Sequence, residues 1–463
     1  MRLRRLPNLD FPRFVNPSTA LTRFLLPFSE IDSAAVNRAL CQIADQPDDM
    51  ADAYFERLEE IELPPSGTEP GLRVRRESGL AIRLLRDGKA WLAGRDGIDG
   101  ERFGDALRRV ARALPSAPYP KPNLGKDRWT EPPLAPEVQA FPSKFRHALG
   151  GHHIPADRAR ITARRHRRWV RVIGSHLASP MEQEQFYSVA LHLPTGRFGG
   201  LFEHLDNNAA AQLAASAARM EAAQDVDSPE PGRYTCVLGA AATAVLLHEG
   251  VAHALEADIL ARGGHPEAAI GIQMGSPVLS VFDDPTRGPR SVRRQADDEG
   301  YPTSRRCLLR NGVVEQPLCD SAWARRSDLL LPGAGRRGDR HDAPGPRSSH
   351  LELIPGETGT AEILASADGG LYFPEADRGH LDPMTGELTL HFAYGRIIQD
   401  GVPGAAIGPC AIHGHVADLL GKVTHVGRES RTAGAGWCAK SGILMPVWAT
   451  SSEICLQDVE VYP

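Results

Sequence analysis

Several protein classes are argued against by what the chain does not contain. No run approaches the ~20 apolar residues needed to span a bilayer. The short apolar stretch Phe24-Leu25-Leu26-Pro27-Phe28 is too brief for a secretory signal core, and Arg23 precedes it. None of the 7 cysteines (Cys41, Cys236, Cys307, Cys319, Cys410, Cys438, Cys455) forms a CxxC pair. Their odd number and scatter suit reduced thiols, not a disulfide framework, so a cytoplasmic location is expected. There is no global excess of positive charge: the formal net charge is −5 at pH 7, which offers nothing to nucleic acid or an anionic membrane. No solenoid-length repeat is present.

What is present is an ordinary globular composition, 41% hydrophobic and 24% charged over 463 residues. That length suggests two or three domains. Residues 1–34 read as an irregular extension. Residues 35–114 read as an α+β domain: a helix over 31–46 with Ser33 as N-cap, strands from Ala51 onward, a turn at Asp87-Gly88, and a helix over 100–113. Proline is dense from Pro115 to Pro136 and sets a first boundary. A middle α+β domain then runs to residue 230, with a short helix over 143–149, a strand over 186–193 and an Ala-rich helix over 209–223. Residues 231–463 form a β-rich C-terminal domain, opened by a strand at Arg233–Leu238. The expected fold class is α+β, with an N-terminal antiparallel sheet.

Chemistry concentrates in Leu247-His248-Glu249-Gly250-Val251-Ala252-His253, inside an apolar run free of proline from Ala240 to Ala261 and closed by Gly263-Gly264. Two imidazoles and a carboxylate in a buried helix are costly unless something binds them. A metal ion would: neutral imidazole is a ligand, and an adjacent Glu can act as base on a bound water. A core helix whose histidines bond to backbone is the competing reading. The pattern is HExxxH, one residue longer than HExxH. Residues five apart on an ideal helix point about 140° away from each other. A shared metal therefore calls for a widened, π-type turn or a local break between His248 and His253, and Gly250 lowers its cost.

A third ligand must come from elsewhere. Cys438, in the glycine-rich Gly434-Ala435-Gly436-Trp437-Cys438, and the pair His413-Gly414-His415 are candidates. Glu256 and Asp258, one turn beyond His253, either orient an imidazole or are solvated or paired with Arg262.

In order along the chain, the HExxxH run is followed by Asp297-Asp298-Glu299-Gly300, Leu309-Arg310-Asn311-Gly312-Val313, Gly335-Arg336-Arg337 and Gly436-Trp437-Cys438-Ala439-Lys440-Ser441-Gly442. This succession resembles the TldD/PmbA metallopeptidase family, from about Ala51 to Val461 and most strongly from Arg233 onward. The resemblance implies a zinc site of His248, His253 and Cys438, with Glu249 as catalytic base. It also implies extended or unfolded peptides as substrate, and a homodimer or a heterodimer with an inactive paralogue. Arg336 and Arg337 match a family element and become candidates for substrate binding, with a structural ion pair as the alternative. A non-catalytic scaffold or partner subunit is the rival function.

The arginine run Arg158, Arg160, Arg164, Arg165, Arg167, Arg168, Arg171 reads as the charged face of a strand pair rather than a nucleic-acid patch, because Ile161, Val170 and Val172 interleave with it. The Gly/Arg/Pro-rich residues 333–349 are expected to form a functional or mobile loop.

Overall fold

Alternation and turn chemistry build the first layer. In the computed structural model β1 (Met50–Leu63), β2 (Arg73–Arg86) and β3 (Lys89–Asp96) run antiparallel. Asp87 and Gly88 join β2 to β3 with positive φ at both positions, a turn that matches strand twist. β4 (Arg160–Gly174), β5 (Glu182–Leu193) and β6 (Gly196–Phe202) extend the sheet in the order β3-β2-β1-β4-β5-β6. The structure describes residues 27–65, 71–111, 122–124, 129, 135–152, 154, 159–194, 196–223, 225–263, 268–432 and 436–463. The N-terminal extension to residue 26, most of the proline-dense segment, Arg158 and Gly264 lie outside them.

Odd-numbered residues of β1 and β4 (Ala51, Ala53, Phe55, Ile61, Ile161, Trp169, Ile173) sit in apolar clusters under four helices. These are α1 (Ser33–Ile43), α2 (Gly100–Val110), α3 (Pro136–Gly150) and α4 (Asn207–Ala222). The cap of α1 is Asp32 rather than Ser33: its carboxylate accepts the Ala35 N–H at 3.0 Å. α3 starts seven residues before the expected Ser143, because Pro136 fits the first turn, where no N–H is needed.

The boundary expected at Pro115 does not separate two sheets. β1 and β4 are hydrogen-bonded neighbours along twelve residue pairs, from Asp52↔Gly174 to Leu63↔Ala163, so the chain on both sides of that boundary builds one sheet. Strand alternation also splits the arginine run. Arg165 meets Glu59 and Glu137 on the helix-covered face, whereas Arg168 meets Glu56 on the other. Arg164 pairs with Glu62, and Arg171 donates to Phe28 O and Ser33 Oγ. Pairing with carboxylates buries Arg165 and Arg168, which the reading of a solvated face did not anticipate.

From residue 232 the chain forms two further large sheets. β7 (Gly232–Leu238) is an inner strand of the nine-stranded one, antiparallel to Ile454–Tyr462 and parallel to Leu371–Phe373. The seven-stranded one contains Val281–Asp283, Arg306–Arg310, His350–Leu353 and Ile443–Ser451, with Gly436–Lys440 paired on Ile443–Ser451. Helix α5 (Ala240–Leu247) follows β7. Apart from Thr243 its residues are apolar, as in a helix largely covered by other elements. Leu246, Leu247 and Val251 share one core with Leu388, Leu390 and Leu456 of the nine-stranded sheet and with Val281, Leu309 and Leu351 of the seven-stranded one.

Residues 333–349 are pinned. Gly335–Arg336 pairs with Gly345–Pro346, and Arg340 reaches Asp96, Glu56 and Glu77 of the first sheet. Around this strap the two halves share a buried ion network. Arg83 bonds Asp52 and Glu299, Arg168 bonds Tyr54 and Asp298, and Arg294 bonds Asp298 at 2.7 Å. Among the described residues no helix is long and apolar enough to cross a membrane.

Candidate metal centre

α5 runs into a π turn over His248–His253, the widened turn the five-residue spacing requires. Gly250 lies inside it, where a Cβ would stand 3.2 Å from Val416 Cγ2 and 3.3 Å from Leu388 Cδ2. The helix does not continue to Gly263 as expected. Glu256 is extended and forms a bridge with Leu318, and a separate short turn, Ala257–Leu260, follows.

The π turn brings His248 and His253 to one side, with ring centroids 4.6 Å apart. Cys438 arrives on the strand Gly436–Lys440. One donor atom from each of His248, His253 and Cys438 lies within 4.8 Å of the other two. His253 Nε2 is 3.2 Å from Cys438 Sγ, and its Nδ1 is 3.0 Å from Glu256 Oε2. His248 Nδ1 is 3.5 Å from Ser348 Oγ, while its buried Nε2 has no hydrogen-bond partner. A buried ring nitrogen without a partner is costly. Two imidazoles and a thiol around that atom are the donor set of a three-ligand zinc site with an open position, so the residues fit the ion.

The electrostatics follow from burial and partners. Burial pulls His248 down to about 3, so the ring is neutral and its lone pair free at physiological pH. Burial also works against charge on His253, but the Glu256 carboxylate and the Cys438 sulfur outweigh it and raise this pKa. Glu256 is pushed up by burial yet brought to about 2 by His253 and Lys440. Glu249 is raised, chiefly by burial, against the charge of His253 and a hydrogen bond from the Leu381 backbone.

Two flanking residues were missed in the sequence. Lys440 Nζ holds Glu256 at 2.6 Å and Asp258 at 2.7 Å, fixing the carboxylate that orients His253. Its signal was available: residues two apart on a strand share a face, and Lys440 is two beyond Cys438. Arg347 donates to Cys438 Sγ at 3.3 Å and to Lys440 O at 2.8 Å; nothing local marks it. Of the two readings for Glu256 and Asp258, an imidazole-orienting role describes Glu256, and Lys440 takes the place expected of Arg262.

Arg336 and Arg337 lie elsewhere. Arg336 is buried and donates to Ser348 O and Pro446 O; Arg337 is buried and reaches Asp52. Neither lines the large cleft, and both are held by the structure itself, the alternative to substrate contact. His413 sits on the strand Cys410–His415, held by Thr389 and Glu387, outside the His248–His253–Cys438 group.

His248 and Glu249 face a cleft of ≈1760 Å³ between the halves, walled by β6, α4 and Trp437. Gly379, beside Glu249, leaves it room: a Cβ there would be 2.5 Å from Glu249 Cγ.

The family model of the PmbA/TldA metallopeptidase C-terminal domain matches residues 231–461. A metalloprotease TldD homolog from Haemophilus influenzae is 28% identical over 272 residues, covering 58% of this chain and 56% of that protein. A metalloprotease from Methanothermobacter thermautotrophicus is 31% identical over 225 residues, 48% of each chain. The chain thus spans about half the length of the curated relatives it matches. The solved structure of TldE from Thermococcus kodakarensis shares the fold with TM-score 0.71 at 19% identity, over 93% of this chain and 100% of that one. A protein described as a modulator of DNA gyrase from Thermotoga maritima aligns with TM-score 0.69 at 18% identity, over 92% of this chain and 99% of that one. With the family's C-terminal domain spanning 231–461 and curated TldD relatives matching by sequence, the chain belongs to the TldD/PmbA metallopeptidase family.

Proposed function

We propose that this protein is a zinc-dependent peptidase that hydrolyses peptide bonds in extended or unfolded peptides. The observation that carries the reading is the approach of His248, His253 and Cys438 donor atoms within 4.8 Å of one another, beside Glu249. A divalent metal held by these three side chains would polarise the scissile carbonyl and acidify water. Glu249 takes the proton from the attacking water and returns it to the leaving amine, a role suited by a raised carboxyl pKa at the cleft wall. Glu256 and Lys440 hold the His253 ring in place. Trp437 and the edge strand β6 give the cleft an apolar rim and unpaired backbone, the features an extended peptide needs. The reading includes a cytoplasmic location and a dimer, either of two copies or with a paralogous subunit.

The test is direct. Glu249→Gln is expected to keep its metal by elemental analysis and lose cleavage of an unfolded peptide by about 10²–10⁴-fold. Cys438→Ser is expected to lose metal. Undiminished cleavage by Glu249→Gln would remove Glu249 as the base, and no cleavage by the wild-type chain would leave the rival, a scaffold subunit without catalysis of its own.

A further inference from the structure

A second, smaller cavity lies in the seam between the halves. It is formed by Glu184 of β5, Arg294, Arg336, Ser349, His350 and Trp448, and its volume is ≈10 Å³, small enough to hold a single bound species. The side chains of Glu184, Arg294, Arg336, His350 and Trp448 are all more than nine-tenths buried. Four N–H groups and one ring nitrogen on this wall have no hydrogen-bond partner: Arg294 Nε and Nη1, Arg336 Nε, Trp448 Nε1, and His350 Nδ1. Each arginine is also engaged elsewhere. Arg294 Nη2 is on Asp298 at 2.7 Å, and Arg336 Nη1 is on Ser348 O at 3.2 Å and Pro446 O at 3.3 Å.

Buried donors without acceptors are rare in folded proteins, and each is costly. Several around one small void ask for a common acceptor. A water molecule accepts two hydrogen bonds and must donate its own, whereas a spherical anion accepts from every direction. The charge points the same way. Arg294 and Arg336 both line the cavity, and among the described residues Glu184 is the only carboxylate on its wall, 3.1 Å from Arg294 Nε and 3.7 Å from Arg336 Nη2.

We propose that this cavity binds a monatomic anion of the halide class. The ion joins β5 of the first sheet to Trp448 on the strand Ile443–Ser451 of the second half, and so adds to the adhesion between them. The site is separate from the His248–His253–Cys438 group and needs no metal there.

The experiment uses the full chain, dialysed into sodium gluconate. Thermal unfolding is followed at constant ionic strength as gluconate is replaced by chloride, and then by bromide. The midpoint is expected to rise saturably with either halide. Crystals grown in bromide are expected to show an anomalous peak within the cavity. Trp448→Phe keeps the aromatic volume but removes one donor, and should weaken halide dependence several-fold. A midpoint identical in gluconate and halide, or a cavity holding water in bromide crystals, would overturn the proposal. Both wild-type measurements stand even if the variant fails to fold.

Discussion

A methyl group at position 379 would lie 2.5 Å from Glu249 Cγ and 2.9 Å from Val245 Cγ1. Neither approach is tolerable, and Glu249 is the more movable neighbour. Gly379→Ala is therefore expected to displace the carboxylate while sparing the ligands: metal content unchanged, cleavage down by up to about 10²-fold. Loss of metal in that variant would mean the π turn had moved instead. His248 predicts a pH effect. Unfolded, its ring takes a proton near 6.5; folded, burial delays this to about 3. Between those values the unfolded chain binds the extra proton, so His248 withdraws stability as pH falls from 6.5 to 3 and withdraws none above. In metal-free protein, His248→Gln should show a shallower acid loss of stability over that window in denaturant titrations. At this scale the sequence was informative where chemistry is local: the HExxxH spacing demanded a widened turn, and the turn is there. It was silent on Arg347, whose approach to Cys438 joins residues 91 apart in sequence.

The π turn is the element on which the centre depends, and Gly250 is its tightest point. Ala at this position gains about 0.5–1 kcal/mol of helix preference. It meets Val416 and Leu388 at 3.2–3.3 Å, a contact the two side chains relieve by small movements. Val adds branched methyls with nowhere to go. Gly250→Ala is expected to be near neutral in thermal unfolding, and Gly250→Val to lose about 1–3 kcal/mol. Equal stability of the two would show the turn to be looser than its contacts suggest. Elements were read from sequence with the reliability their local signals allowed. The Asp87-Gly88 turn, β7 and α5 all announce themselves in their residues. The early end of the motif helix does not, because the bridge between Glu256 and Leu318 that pulls the chain out of helix is made 62 residues away. The pairing of β1 with β4 was equally hidden: the prolines between them mark a long connection, not a division of the sheet.

At its middle the molecule is held by buried charge as well as by apolar contacts. Asp298 is fully buried and bonds Arg294, Arg168 and the Arg337 backbone, so its pKa stays low although burial opposes it. Removing one member of such a set leaves buried cations without a counter-charge. Asp298→Asn is expected to cost about 3–5 kcal/mol in chemical denaturation, with little response to added salt. A loss below 1 kcal/mol would show that the network contributes no net adhesion. The same arrangement has a consequence in time. The first sheet is complete once residue 202 has been made, but Arg294, Asp298, Glu299, Arg337 and Arg340, which cover its charged face, come some 90 residues and more afterwards. At about 5–20 residues per second of synthesis, that face waits roughly 5–20 s for its first partner. During the wait water solvates Asp52, Glu56, Arg83 and Arg168. An apolar face left bare that long on a ribosome would invite the nearest sticky neighbour; a hydrated one does not.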